Sequence, residues 1–191
     1  MNETEVHTLL EEHGALQAGH FKLSSGRHSD VFVQTALVLQ YPGIAERFGH
    51  ELGTRFASAE PTIVLGPAMG GVIIGHEIAR YLGIPMVYSE RVDGQMALRR
   101  GFHIGADDRV LIAENTVTTG GSQREVIELA RSFGAEVVGV AAICDRSGGV
   151  GFGVAFEALL HIDASSWEPD DCPLCRDGSV PEAPGSRHLA H

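Results

Sequence analysis

The run Val110-Leu-Ile-Ala-Glu-Asn-Thr-Val-Thr-Thr-Gly-Gly-Ser122 restricts the fold of this chain more than any other stretch. Val110 to Ala113 are all apolar, the pattern of a strand covered on both faces inside a parallel sheet. Polarity switches at Glu114 and Asn115, where the carboxyl end of such a strand is expected to meet solvent. Thr116, Val117, Thr118, Thr119, Gly120, Gly121 and Ser122 follow, ending in a turn whose glycines let the backbone approach a ligand closely. Apolar side chains at Val126, Ile127, Leu129, Ala130 and Phe133 predict a helix from Gln123 to Phe133. A helix that starts directly after a Thr/Gly turn presents free N–H groups and the positive end of its dipole, so the expected ligand is a phosphate.

The same design occurs a second time. Thr62 to Leu65 read as a buried strand, Gly66-Pro-Ala-Met-Gly-Gly71 as a turn and Val72 to Leu82 as a helix, which would set two anion cradles side by side at one sheet edge. Met86 to Tyr88, Glu136 to Cys144 and Val154 to Ile162 add further strands. Thr4 to Ala18, capped near Asn2 or Thr4 and broken by Gly14, and Tyr41 to Phe56, entered through Pro42, add helices. Alternating strands and helices predict an α/β fold with a twisted parallel sheet flanked by helices. Arg146 follows the strand ending at Cys144, and a guanidinium at that edge can fork two N–H bonds onto a carboxylate.

Charge narrows the ligand. A formal net charge of −11 argues against nucleic acid, whose phosphate backbone needs a basic face. With Lys22 the single lysine, arginines must meet any phosphate. Arg91, Arg99 and Arg100 surround Gly94 in Ser89 to Phe102, which reads as a mobile basic flap. Gly19 to Gln34 is crowded with small polar residues and reads as a hairpin or hood. There Ser24, Ser25 and Phe32 offer hydroxyls and an apolar face. No run of 18 apolar residues exists and the N-terminus is acidic, so no membrane span or export signal is expected, and three cysteines suit a reducing, cytoplasmic setting. The 191 residues fit one domain, with the hood over about 19–40, the flap over about 89–102 and a Pro/Asp/Ser-rich tail over about 163–191. Cys172-Pro-Leu-Cys175 has the spacing of half a zinc site, which His161 or Asp163 could complete; the sequence assigns no side-chain metal site.

Residues 110–122 closely resemble the phosphoribosyl-pyrophosphate (PRPP) motif of type I phosphoribosyltransferases. Phe21-Lys-Leu-Ser-Ser-Gly-Arg-His-Ser29 resembles the N-terminal signature of the orotate phosphoribosyltransferases, and Cys-Pro-x-Cys followed by Pro-Gly-Ser-Arg resembles the ending of some bacterial members. The resemblance implies the type I phosphoribosyltransferase fold and transfer of phosphoribose from PRPP to orotate, giving orotidine 5′-monophosphate and pyrophosphate. It implies that Glu114 and Asn115 hold the ribose hydroxyls, and that the loop from Thr116 to Ser122, through Val117, Thr118, Thr119, Gly120 and Gly121, holds the 5′-phosphate. Ala68, Met69, Gly70 and Gly71 would take the pyrophosphate, Arg91 the leaving group, and Thr118, Arg146, Ser24 and Phe32 the orotate. Mg2+ would arrive on PRPP, and a homodimer is implied in which the flap reaches the neighbouring site. Asn115 stands where the family has a second acid, and the 66–71 loop has no lysine. Two alternatives follow from Asn115: a PRPP-binding regulatory protein on the same fold, and a transferase for another base.

Overall fold

The computed structural model describes residues 1–23 and 25–184. Helix α1 (Glu3–Glu12) starts at Asn2, whose side-chain oxygen accepts from the Glu5 N–H at 2.9 Å while the Glu5 carboxylate accepts from the Asn2 N–H at 3.0 Å. This reciprocal pair satisfies two N–H groups that the first helical turn leaves free. The predicted helix to Ala18 is too long. The chain turns at Gly14, and Leu16 opens strand β1 (Leu16–Lys22), which pairs antiparallel with β2 (His28–Val33). Pairing with β2 outweighs the helical spacing of Ala15 and Leu16, a tertiary contact that local periodicity does not register.

The chain continues through the short helix α2 (Ala36–Leu39), α3 (Pro42–Phe56), β3 (Ile63–Pro67), α4 (Gly70–Leu82), β4 (Met86–Val92) and β5 (Gln95–Leu98). It then forms β6 (Arg109–Val117), α5 (Gly121–Ser132), β7 (Glu136–Asp145), β8 (Ala155–His161), β9 (Ser166–Trp167) and α6 (Pro173–Arg176). Six strands make the main sheet in the order β5-β4-β3-β6-β7-β8, parallel except for the antiparallel β5. From β3 the chain steps one way to β4 and later returns to the other side as β6. The switch point of the sheet therefore lies between β3 and β6, where open α/β sheets bind ligands beyond the strands' carboxyl ends.

Strand alternation divides the core. Val64, Leu111, Ala113, Ala141 and Ile143 face Phe48 and Leu52 of α3 and Ile74 and Ile78 of α4. Leu65, Val110, Ile112, Val140 and Ala142 face Val126, Ile127 and Ala130 of α5. The apolar runs of the central strands follow from this two-sided cover. None of the described helices is long and apolar enough to cross a membrane.

Three further differences bear on the site. Strand β6 continues to Val117 and stays paired with β7 as far as Asp145, so Glu114 and Asn115 lie within a strand and not beyond its end. The basic flap is a hairpin, with Ser89 to Val92 paired to Gln95 to Leu98. The tail joins the hood: β9 pairs with β2, and Glu182 bonds to the backbone of His20 and Lys22 beside β1.

Phe48 is fully buried on one face of the sheet, whereas Phe133 at the end of α5 is 40% exposed. Phe48→Ala is expected to cost about 3–5 kcal/mol in urea unfolding and Phe133→Ala less than about 1 kcal/mol. Equal losses would contradict this placement of the core.

Candidate active site

Three strand ends and the loops that follow them build the site. On β6, Glu114 shares the even-numbered face of Val110 and Ile112, so its carboxylate is directed toward α5. It is buried, and both oxygens have partners: Oε1 accepts from the Asn115 N–H at 2.8 Å and Oε2 from Gln123 Nε2 at 2.7 Å. Burial raises its pKa from 4.5 to about 7, although these two hydrogen bonds pull the other way. After Val117 the chain turns out through the exposed Thr118 and Thr119 to Gly120, the N-cap of α5, at φ 74°. That left-handed conformation suits glycine, and a Cβ there would also come within 2.9 Å of Phe152 and Val150. The turn sets the first N–H groups of α5, from Gly121 and Ser122 onward, at the mouth of the sheet.

The loop after β3 lies against this strand end. A methyl group on Gly70 would come within 2.6 Å of Glu114 Oε1 and 2.8 Å of Asn115 Oδ1. Glycine is thus what allows the first turn of α4 to sit over the acid and the amide. Ala68 is half-buried, Met69 is 79% exposed, and their peptide bond is cis. The two predicted anion cradles are therefore adjacent, with Glu114 and Asn115 at their seam.

Arg146, just beyond β7, donates its backbone N–H to Val117 O at 2.8 Å, which brings it beside Thr118. Its Nη2 reaches Ser29 Oγ at 3.4 Å and Val31 O at 3.2 Å on β2, so the hood and the sheet meet at this side chain. Arg146 Nε is buried without a hydrogen-bond partner among the described residues. Burial lowers the guanidinium pKa, yet arginine stays charged, so a buried cationic donor is left unmet at this strand end. Phe32 packs its ring on Phe21, with centroids 5.6 Å apart, within the hood hairpin. Strand alternation sets it on the face opposite Ser29. Ser24 lies outside the described residues. A cavity of about 620 Å3 opens beside Arg146, lined by Asp145, Gly149, Val150, Phe152 and His161. The two loops do not line it, and the chemistry favours the crevice between them.

Two of the three flap arginines are held by acids. Arg91 pairs with Glu125 of α5 at 2.9 Å and donates to Gly94 O, while Arg100 pairs with Glu90 at 2.9 Å and lies over the Tyr88 ring. Arg91 therefore sits beside the first turns of α5 rather than over the Gly70 loop.

The sequence reading missed several residues here. Gln123, buried and bonded to Glu114, was signalled only as an amide in the first turn of the predicted helix. Arg124 donates to Thr119 O at 3.1 Å and puts a cation on the rim of the loop. In the hood, His20 and His28 converge on Cys172 and Cys175. The expected completion by His161 or Asp163 is overturned, because exposed His161 lies 2.6 Å from Glu3 of α1.

Glu114 gives this geometry a pH signature. Above about pH 4.5 the unfolded chain has released this proton, while the native state keeps it to about pH 7. The stability linked to Glu114 is full below the lower value and is lost as pH rises through the upper one. Glu114→Gln abolishes the loss, since Gln123 can turn its amide to match. Its stability relative to wild type is expected to rise by about 1–3 kcal/mol between pH 5 and pH 8 in urea unfolding. A difference independent of pH would contradict the burial of this carboxylate.

Comparison with known proteins places this geometry in a family. Residues 39–154 match the phosphoribosyl transferase domain family. The chain is 46% identical over 190 residues, 99% of its length, to the orotate phosphoribosyltransferase of Caldanaerobacter subterraneus subsp. tengcongensis, covering 100% of that protein. It is 48% identical over 185 residues to that of Thermotoga maritima, covering 96% of this chain and 99% of the relative. The crystal structure of orotate phosphoribosyltransferase from Aeropyrum pernix superimposes with a TM-score of 0.69 at 27% identity, over 82% of this chain and 93% of that one. With two glycine loops joined at Glu114 and an arginine at the next strand end, the chain belongs to the orotate phosphoribosyltransferase family.

Proposed function

We propose that this protein transfers the 5-phosphoribosyl group from PRPP to orotate, releasing pyrophosphate. The observation that carries the reading is the seam itself: a buried carboxylate beneath two helix N-termini, with an unpartnered cationic donor at Arg146 beside them. The N–H groups from Thr118 to Ser122 take the 5′-phosphate. Glu114, with Asn115 beside it, accepts hydrogen bonds from the ribose hydroxyls. Those donors favour the ionised form of Glu114, and the negative charge then lies below the anomeric carbon as it becomes cation-like. No covalent nucleophile is needed, because catalysis is positioning and charge.

Ala68, Met69, Gly70 and Gly71 hold the diphosphate through backbone donors. Mg2+ fits a crevice whose nearby oxygens are one carboxylate and one amide, because it keeps several waters and binds chiefly through substrate phosphates; bound with PRPP it would neutralise charge on the diphosphate. Arg146 receives the orotate carboxylate as a two-pronged donor, and Thr118 faces the base. Phe32, packed on Phe21 on the strand face opposite Ser29, supports the hood hairpin rather than touching the base. Arg91 serves the leaving group once the flap exchanges its Glu125 partner for diphosphate. Hood, flap and tail act as parts of one domain.

Loss of orotate absorbance on adding PRPP and Mg2+ tests the reading. Wild-type turnover is expected, and Arg146→Ala should lower kcat/KM for orotate by about ten- to a hundredfold for each charged hydrogen bond lost. PRPP binding without orotate consumption, with turnover appearing in Asn115→Asp, would instead make this a regulatory binding protein. Consumption of uracil or a purine in preference to orotate would reassign the base.

A homodimer in which each flap serves its neighbour's site makes a separate prediction. Mixing Arg91→Ala and Arg146→Ala subunits should restore about a quarter of wild-type activity, because half the dimers are mixed and each of these has one intact site. Activity no higher than the average of the two variants would place the flap over its own subunit.

A further inference from the structure

The hood and the tail together bring in four side chains that the transferase reaction does not use. His20 on β1, His28 on β2, and Cys172 and Cys175 around the start of α6 direct their ligand atoms to one point, with all four atoms within 4.8 Å of one another. His20 Nε2 lies 3.1 Å from His28 Nδ1, 3.4 Å from Cys172 Sγ and 3.8 Å from Cys175 Sγ, and Cys175 Sγ lies 3.3 Å from His28 Nδ1. Hydrogen bonding cannot account for this set. In any tautomer His20 Nε2 has either one hydrogen or one lone pair, yet three polar atoms crowd it. A cation at the centre would use every one of these atoms as a ligand.

The distances fit a tetrahedron. With Zn–N near 2.0–2.1 Å and Zn–S near 2.3 Å, the edges between ligand atoms come to about 3.3 Å for N–N, about 3.6 Å for N–S and about 3.8 Å for S–S. The four separations given above lie within a few tenths of an ångström of these edges. Two thiolates and two imidazoles select zinc over the hard cations that PRPP carries. The surroundings agree. His20, His28 and Cys172 are buried, and His20 Nδ1 bonds Ser179 Oγ at 3.0 Å, which fixes the ring with Nε2 toward the cluster.

We propose that His20, His28, Cys172 and Cys175 form a structural zinc site that fastens the hood hairpin to the C-terminal segment. Both thiols lose their protons to solvent on binding, and no redox change is involved. The site closes a loop of more than 150 residues, from His20 to Cys172, and adds to the hydrogen bonds that already join the two segments, among them the β2–β9 pairings, Ser29 Oγ to Ser165 O and the bonds around Glu182. It lies on the same strand as Ser29 and Val31, the hood contacts of Arg146, so it steadies that edge of the crevice.

Elemental analysis of the full-length protein, purified without chelator from zinc-supplemented cells, tests the proposal. One zinc per chain is expected, falling below about a tenth in Cys172→Ser and Cys175→Ser and staying at one in Cys144→Ser, whose thiol lies in the sheet core. Should the serine variants fail to fold, Co2+ added to chelator-stripped wild type decides the matter. Strong visible absorption of tetrahedral cobalt with thiolate charge-transfer bands is expected, displaced by one equivalent of Zn2+, with a lowered Tm in the stripped state. Wild-type protein without zinc whose stripped form gives only the weak spectrum of octahedral cobalt would overturn the site, as would zinc retained in full by Cys175→Ser.

Discussion

The close approach of the Gly70-Gly71 turn to the end of β6 is the constraint on which the site depends. A Cβ on Gly71 would lie 2.3 Å from Ala113 O, and one on Gly70 would strike Glu114 and Asn115. Such contact requires β3 and β6 to be parallel neighbours, so that α4 and α5 begin at the same edge. The switch in strand order supplies this, and the parallel pairing of β6 with β7 then delivers Arg146 to the same edge. The two helix ends, the buried acid and the arginine, proposed above to meet phosphate, sugar and base, come together as consequences of one sheet topology.

Charge is distributed in keeping with that geometry. Among the described residues seven arginines are paired with acids, including Arg55 with Glu51, Arg80 with Glu46 and Glu77, Arg109 with Glu136 and Arg131 with Glu128. Such exposed pairs contribute little to stability. Arg146 differs in being partly buried, held by one hydroxyl and one carbonyl and paired with no carboxylate among the described residues. At the seam the sign is reversed, because Glu114 is a buried acid whose ionisation is costly without donors from a ligand. A buried cation at Arg146 and a buried acid whose two hydrogen bonds do not offset its desolvation lie at the same sheet edge.

Much of this was legible in the sequence because it is local. The apolar runs gave the central strands, and the Thr/Gly turns gave the loops that follow β3 and β6. The apolar spacing places α3, α4 and α5 to within a few residues. What was not legible depends on distant partners. The true end of α1 is set by pairing of Leu16 with Val33, and the tail's role by pairing of Ser166 with Ser29. The Cys172–Cys175 half-site looked incomplete because its other ligands lie 152 positions away on β1 and 147 away on β2. Glu114 read as solvent-facing because the extension of β6 to Val117 follows from its ladder with β7, which no run of apolar residues announces.

The central claim is that one crevice holds phosphate at the β6–α5 turn and carboxylate at Arg146. A crystal structure with orotidine 5′-monophosphate bound tests it most directly. The account predicts the phosphate within hydrogen-bond distance of the N–H groups from Thr118 to Ser122, and the base carboxylate forked onto the Arg146 guanidinium. A nucleotide bound with its phosphate at the Gly70 loop, or with its carboxylate in solvent, would contradict it.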